Sequence, residues 1–251
     1  MAISKVMIDD KLLKVLCYPK PSIQCLNKRL SELKELNIAY IILQGPIKLH
    51  KDIRVLGKGY ASIVVKAVDF EDNVVAVKIR RVDSRRPSLV EEAENLALAN
   101  SVNVGPRLLG FTENIIVYEF IEGVKIDSYI MNSPDETVKN VLLSLLQQCF
   151  RLDMVGLDHG ELSRTYSHIL VTNKNKPYII DFESSSTLRR PSNVTSIIGS
   201  LIIKNGPLQE YVRKVLGVSN LDELIALLRM YKKNPSPETF MLVLKFLNLT
   251  H

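Results

Sequence analysis

The run NVVAVKI, residues 73–79, constrains this chain most: it is β-branched enough to be a strand covered on both faces, yet it carries Lys78. A covered strand tolerates an ammonium group only beside an anion, because an unpaired charge is costly to take out of water. The surrounding fold must therefore supply that anion, unless the strand is an edge and Lys78 reaches solvent.

The neighbouring segments suggest how. IRVLG (53–57), SIVVKAV (62–68) and NVVAVKI are short strand-forming runs, separated by Gly57 and Gly59 and by Glu71, Asp72 and Asn73. They predict an antiparallel three-stranded meander. Within LGKGYASIV, the two glycines allow backbone amides to approach phosphate oxygens closely; the other reading is a plain hairpin turn. SLVEEAENLALAN (88–100) then predicts a helix with Ser88 as N-cap and Glu91 completing a capping box. Helical spacing groups Glu92 with Leu89, Leu96 and Ala99, which makes Glu92 the candidate partner of Lys78; otherwise Glu91, Glu92 and Glu94 form a solvated face. Two more strands are expected in 105–123, turning near Glu113 and Asn114.

After Gly123 the pattern becomes mainly helical, with 136–156 the strongest amphipathic segment and helices again from about 194 to 248. A short β pair, HILVT and PYIID, interrupts it and delivers Asp181 at a strand end. At the other end of the chain, residues 8–19 and 22–37 have helical spacing, and IAYIIL (38–43) and IKLH (47–50) look like a hairpin around Gly45 and Pro46. Two helices and a hairpin suggest a small winged-helix module at 1–50; the alternative is an extension packed on the main domain.

With 251 residues, 46% of them hydrophobic, the chain can bury one large core or two modest ones. No apolar run reaches the roughly 18 residues of a membrane span, and no signal peptide is recognisable, so a cytoplasmic protein without a membrane partner is expected. A net charge of +6 suits an anionic partner. Its clusters, Arg80, Arg81, Arg85 and Arg86, then Arg189 and Arg190, are either solvated surface or phosphate contacts. Cys17, Cys25 and Cys149 lack CxxC spacing and are expected to be ordinary thiols.

Taken in order, the glycine turn, Lys78, Glu92, DHGEL (158–162) and IIDF (179–182) resemble the protein-kinase-like superfamily from about residue 51 to 205. The similarity is to its compact atypical branch: the RIO kinases, the small kinases of the KEOPS complex and the lipopolysaccharide-core sugar kinases. His159, Gly160 and Leu162 match their HGDL loop, and Asp181 and Phe182 their metal motif, with Glu183 where a glycine is usual.

The resemblance implies an α+β, two-lobed fold: an N-terminal module at 1–50, a β-rich N-lobe at 51–123 and a mainly helical C-lobe at 124–251. It implies ATP held by Gly57, Lys58, Gly59, Tyr60, Ser62, Lys78, Glu92, Glu119 and Ile121, with Lys78, Asp181 and Glu161 catalytic, and magnesium, or manganese instead, on Asp181 and His168. Glu161 stands where the family has the aspartate that accepts the substrate's proton, and its extra methylene moves the carboxylate outward by about an ångström. Asp158 is a substitute base three residues early. The family's metal-binding asparagine falls at Tyr166, or at His168 if two residues are inserted; imidazole suits transition metals better than magnesium. His168 could equally be a strand start with no ligand role.

The expected activity is phosphoryl transfer to a serine or threonine of a protein. Alternatives are a nucleotide-binding pseudokinase or ATPase switch, and a kinase of small-molecule hydroxyls. A nucleic-acid or ribosome contact through Lys20, Lys28, Arg29 and Lys34 of the N-terminal module is a further expectation by analogy with one RIO subfamily.

Overall fold

A computed structural model describes residues 10–250, so the predicted start of the first helix at residues 8 and 9 lies outside the described residues. The chain divides into two compact units. One takes the described residues up to Ala93 with Arg107–Phe120; the other takes Glu94–Pro106 and the described residues from Ile121 onward.

The first unit is built on an antiparallel sheet. Its elements are α1 (Asp10–Leu16), α2 (Ile23–Glu35), β1 (Ile38–Ile42), β2 (Ile47–His50), β3 (Ile53–Val55), β4 (Gly57–Lys58), β5 (Ser62–Asp69), β6 (Val74–Arg80), the first turn of α3 (Val90–Ser101), β7 (Leu108–Phe111) and β8 (Ile115–Glu119). The strand order is β1-β5-β6-β8-β7, with β4 added on β5. The meander forms, but its first run is split: β3 pairs with β2, and only Gly57 and Lys58 pair with β5.

The register places Lys78 opposite Val64 on one side and Ile116 on the other, so it sits in an interior strand and not at an edge. Alternation along β6 sends Val75, Val77 and Ile79 into one core with Val65, Ala67, Ile115 and Val117. Lys78 therefore lies on the opposite face. On that side a smaller cluster joins Leu89 and Ala93 to Ile116, Leu108 and Tyr118.

The 38–43/47–50 hairpin does not form. β1 pairs with β5, with Ile41 opposite Ala67. Val15, Leu16 and Cys17 of the first helical segment and Leu26 and Leu33 of α2 are buried in the same core as β5 and β6. Residues 10–50 thus share a core with the main sheet, as in the second of the two readings. The apolar alternation of 38–42 finds more partner surface against the eight-residue β5 than against the four-residue β2. Ser22 caps α2 by accepting the Cys25 N–H at 3.2 Å.

Cys17 and Cys25, expected as thiols, form a disulfide, and Cys149 is free and buried. The end of α1 and the first turn of α2 bring their Cα atoms to 6.0 Å, a proximity that a spacing of eight residues does not advertise.

The second unit is mainly helical. β9 (Gly123–Lys125), α4 (Ile126–Met131) and α5 (Asp135–Met154) are followed by α6 (Thr165–His168), β10 (Ile169–Thr172) and β11 (Pro177–Ile179), then α7 (Asn193–Ile198), α8 (Pro207–Leu216), α9 (Leu221–Lys233) and α10 (Pro237–Phe246). The antiparallel sheet β11-β10-β9 holds the predicted β pair. α5 buries Val138, Val141, Leu142, Leu145, Leu146, Cys149 and Leu152 along one stripe, which is why it is so legible in the sequence. Among the described residues no helix is long and apolar enough to cross a membrane.

Candidate active site

In the first unit, Lys78 meets its anion. Its Nζ lies 2.6 Å from Glu92 Oε1, and both side chains are almost fully buried. Glu91 and Glu94 are exposed, so the acidic helix start divides by face. The Ser88 hydroxyl accepts the Val90 N–H at 3.4 Å at the entry of α3.

The glycine turn lies between β4 and β5. Gly59 donates its N–H to the Ser62 carbonyl at 2.9 Å, and Arg81 Nη1 donates to the Gly59 carbonyl at 2.9 Å. Arg81 is itself held by Asp83 at 2.8 Å, so this member of the basic cluster braces the turn. Arg80 is likewise spent internally, on Asn114 Oδ1 and the Arg86 carbonyl. Lys58 is exposed beside the Tyr18 ring, Tyr60 stands in solvent at the turn's tip, and Ser62 is buried. Glu119 closes β8 half-buried, its carboxylate accepting the Arg107 N–H at 3.2 Å; Ile121 is half-buried in the second unit.

In the second unit, Glu161, His168 and Asp181 come together, with one ligand atom from each within 4.8 Å of the others. His168 Nε2 is 3.1 Å from Glu161 Oε2, and His168 Nδ1 is 3.8 Å from Asp181 Oδ2. Asp181 has left-handed backbone angles, φ 68° and ψ 76°, a conformation that aspartate adopts more readily than most residues and that often marks functional sites. Tyr166 lies outside this group, its hydroxyl accepting from Gln209 Nε2 at 2.7 Å, whereas His168 lies within it.

Asp158 is not a spare base. One oxygen accepts from Arg189 Nε at 3.0 Å, and the other from the Ser192 N–H at 3.1 Å. Arg189 also donates to the Ser184 carbonyl, so this second basic cluster ties the loop to the segment after Asp181.

His159 is fully buried, and burial, with the neighbouring His168 ring second, pushes its pKa down to about 4. It is therefore neutral at pH 7, and Nε2 donates to the Ile180 carbonyl at 3.1 Å, fastening the loop to the residue before Asp181. Its ring packs edge-on against Phe182 at 5.1 Å.

Two positioning residues, Asn193 and Asp153, carry no sequence motif. Asn193 Oδ1 accepts the His159 N–H at 2.9 Å while its Nδ2 donates to the Leu157 carbonyl at 2.7 Å. Asp153, buried on α5, in turn accepts from the Asn193 N–H and Nδ2, the Val194 N–H and the Tyr231 hydroxyl. Burial holds its carboxyl above the usual aspartate range despite these donors. The two glycines Gly160 and Gly105 are both left-handed. A Cβ on Gly160 would lie 2.6 Å from the Ser184 carbonyl oxygen, and one on Gly105 would lie 2.9 Å from the Phe182 ring. Gly105→Ala is therefore expected to destabilise the protein by about 1–3 kcal/mol, from backbone strain and overpacking. A urea unfolding midpoint unchanged from wild type would show that Phe182 relaxes freely.

A divalent cation suits the donor set. The His168 Nδ1 is a buried ring nitrogen without a hydrogen-bond partner, and it lies beside a carboxylate. Such an orphaned polar atom is what a ligand position leaves when the ion is not counted.

Residues 47–197 match the RIO domain family, a stretch that takes in Lys78, Glu92, Glu161, His168 and Asp181. Over 115 residues the chain is 30% identical to the uncharacterised protein MJ1211 of Methanocaldococcus jannaschii, an alignment covering 46% of this chain and 96% of that protein. The buried lysine–glutamate pair, the HGEL loop and the aspartate after β11 thus occur within a matched stretch of three fifths of the sequence, and the chain belongs to the RIO domain family, an atypical protein-kinase-like family.

Proposed function

We propose that this chain transfers the γ-phosphoryl group of ATP to a serine or threonine hydroxyl of a protein. The observation that carries the reading is the convergence of Glu161, His168 and Asp181 in one cluster. Lys78, fixed by Glu92, is the group for the nucleotide's phosphates, and the glycine turn braced by Arg81 offers backbone amides to the same anion. Asp181 and His168 would hold a divalent ion, which would supply charge neutralisation for phosphoryl transfer. Catalysis of this kind is mostly positioning and electrostatics, so an imperfect base slows transfer without abolishing it.

One observation favours a second reading, a nucleotide-binding switch without transfer. The Glu161 carboxylate is already engaged by His168 at 3.1 Å.

Incubating the full chain with γ-labelled ATP, magnesium or manganese and a mixture of protein acceptors separates the two. Label on serine or threonine that is lost in Asp181→Ala supports transfer. A nucleotide-dependent rise in melting temperature, with neither transfer nor hydrolysis, supports the switch.

A cytoplasmic setting belongs to the same proposal, although the Cys17–Cys25 disulfide is a feature that reducing compartments disfavour. So does a nucleic-acid contact through exposed Lys20, Lys28 and Lys34. Arg29 is withdrawn from it, being buried against Glu32 at 2.9 Å.

A further inference from the structure

We propose that the Cys17–Cys25 bridge is a redox modification site: a small anionic thiol entering the cleft beside Cys25 opens the bridge by exchange, and its opening loosens the glycine turn through Tyr18. The proposal rests on the phosphate-holding role of that turn only for its nucleotide readout.

The two sulfurs differ in access. Cys17 is fully buried in the core of the first unit, whereas Cys25 is half-buried and lines a cleft of about 170 Å³. The attacked sulfur in such an exchange is the one that a thiolate can reach. The walls of this cleft favour an anion. They carry Lys28, Arg29 and Arg80, while Glu113 and Glu32 pair with the first two, leaving one positive charge in excess.

The chemistry balances with two thiols as reductant. A first thiolate bonds to Cys25 Sγ, the bond between the two cysteine sulfurs breaks, and its electron pair leaves on Cys17 Sγ, which takes a proton from water. A second thiolate then bonds to the sulfur of the first, releasing Cys25 as a thiolate and a small disulfide. Two electrons have passed from the small thiols to the bridge.

Tyr18 links the bridge to the turn, and every residue on this route lies in the first unit. It follows Cys17 directly, and its carbonyl accepts the Val82 N–H at 2.9 Å. Its ring carries Lys58 Nζ at 5.0 Å from the centroid and the Arg81 guanidinium carbon at 5.2 Å. Arg81 in turn donates to the Gly59 carbonyl. The connection from Lys20 to Ser22 is exposed, so the bridge across eight positions is what limits the freedom of the segment that carries Tyr18. With the bridge open, the ring holds the two cations less tightly and the brace on Gly59 weakens.

The test compares the full chain with the bridge closed and after treatment with 2-mercaptoethanesulfonate, an anionic thiol. Deuterium exchange of the amides from Gly57 to Ser62 reads the turn without nucleotide. Calorimetric titration of an ATP analogue reads its consequence. Opening the bridge is expected to speed exchange at Gly59 and to weaken the analogue, each about 3–10-fold, the scale of losing one or two exposed cation–π contacts. Peptide mass spectrometry should trap the mixed disulfide on Cys25 and not on Cys17, and cationic cysteamine should open the bridge more slowly. In Tyr18→Leu, exchange should be fast already and respond no further to the thiol. The double variant Cys17→Ser with Cys25→Ser should match the opened wild type and ignore the thiol.

Unchanged exchange at Gly59 after opening would overturn the proposal, as would an equal response in Tyr18→Leu. So would melting curves showing that the opened protein has unfolded, because the bridge would then be a structural staple. Faster exchange at Gly59 with no nucleotide bound in either state would sink the kinase reading alone.

Discussion

Asp153→Ala is expected to destabilise the protein by about 3–5 kcal/mol, the cost of breaking a buried charge network on one side. The carboxylate is only 7% exposed and accepts four hydrogen bonds. Alanine leaves the Asn193 N–H and Nδ2, the Val194 N–H and the Tyr231 hydroxyl without it. Because Asn193 also holds the His159 N–H, the loop carrying Glu161 loses its anchor at the same time. Tyr231→Phe removes a single donor and should cost about 1 kcal/mol. Thermal melts check both, and at this size the larger loss corresponds to a fall on the order of 10 °C. An alanine variant melting with wild type would show that water replaces the carboxylate freely.

The second large effect is expected at Lys78. Lys78→Met leaves Glu92 buried without its 2.6 Å ammonium partner, so a stability loss of about 3–5 kcal/mol is expected together with loss of ATP affinity. The double variant Lys78→Met with Glu92→Leu separates the two consequences. Replacing both charges by apolar groups of similar size should restore most of the stability, because a buried ion pair seldom contributes much beyond its own desolvation. ATP binding should stay lost. Calorimetric titration of ATP analogues into the single and double variants provides the measurement, and recovery of binding in the double variant would remove Lys78 from the nucleotide's contacts.

What could be read from the sequence divides by the kind of signal. Lys78 and Glu92 were legible because strand alternation and helical spacing each assign a face, and an apolar face carrying one charge implies a partner. Glu161, His168 and Asp181 were legible through resemblance to a family. His168 also depended on choosing a two-residue offset over direct alignment at Tyr166.

Long-range choices were not legible. Whether β1 pairs with β2 or with β5 depends on the comparison of two antiparallel partners, and a local turn signal at Gly45 and Pro46 favoured the nearer one. Asn193 and Asp153, separated by 40 positions, look like ordinary polar residues until the loop is folded onto α7. Arg80, Arg81 and Arg189 looked like surface or phosphate contacts, and each donates to the protein's own backbone. The Cys17–Cys25 bridge likewise depends on how two helix ends meet, which no spacing rule encodes.

The most direct test of a metal site at Asp181 and His168 is anomalous diffraction from crystals of the full chain soaked in manganese. The expected result is a single manganese peak bonded to His168 and Asp181. No manganese peak at this cluster, or one bonded to Asp181 with the His168 ring turned away, would contradict it.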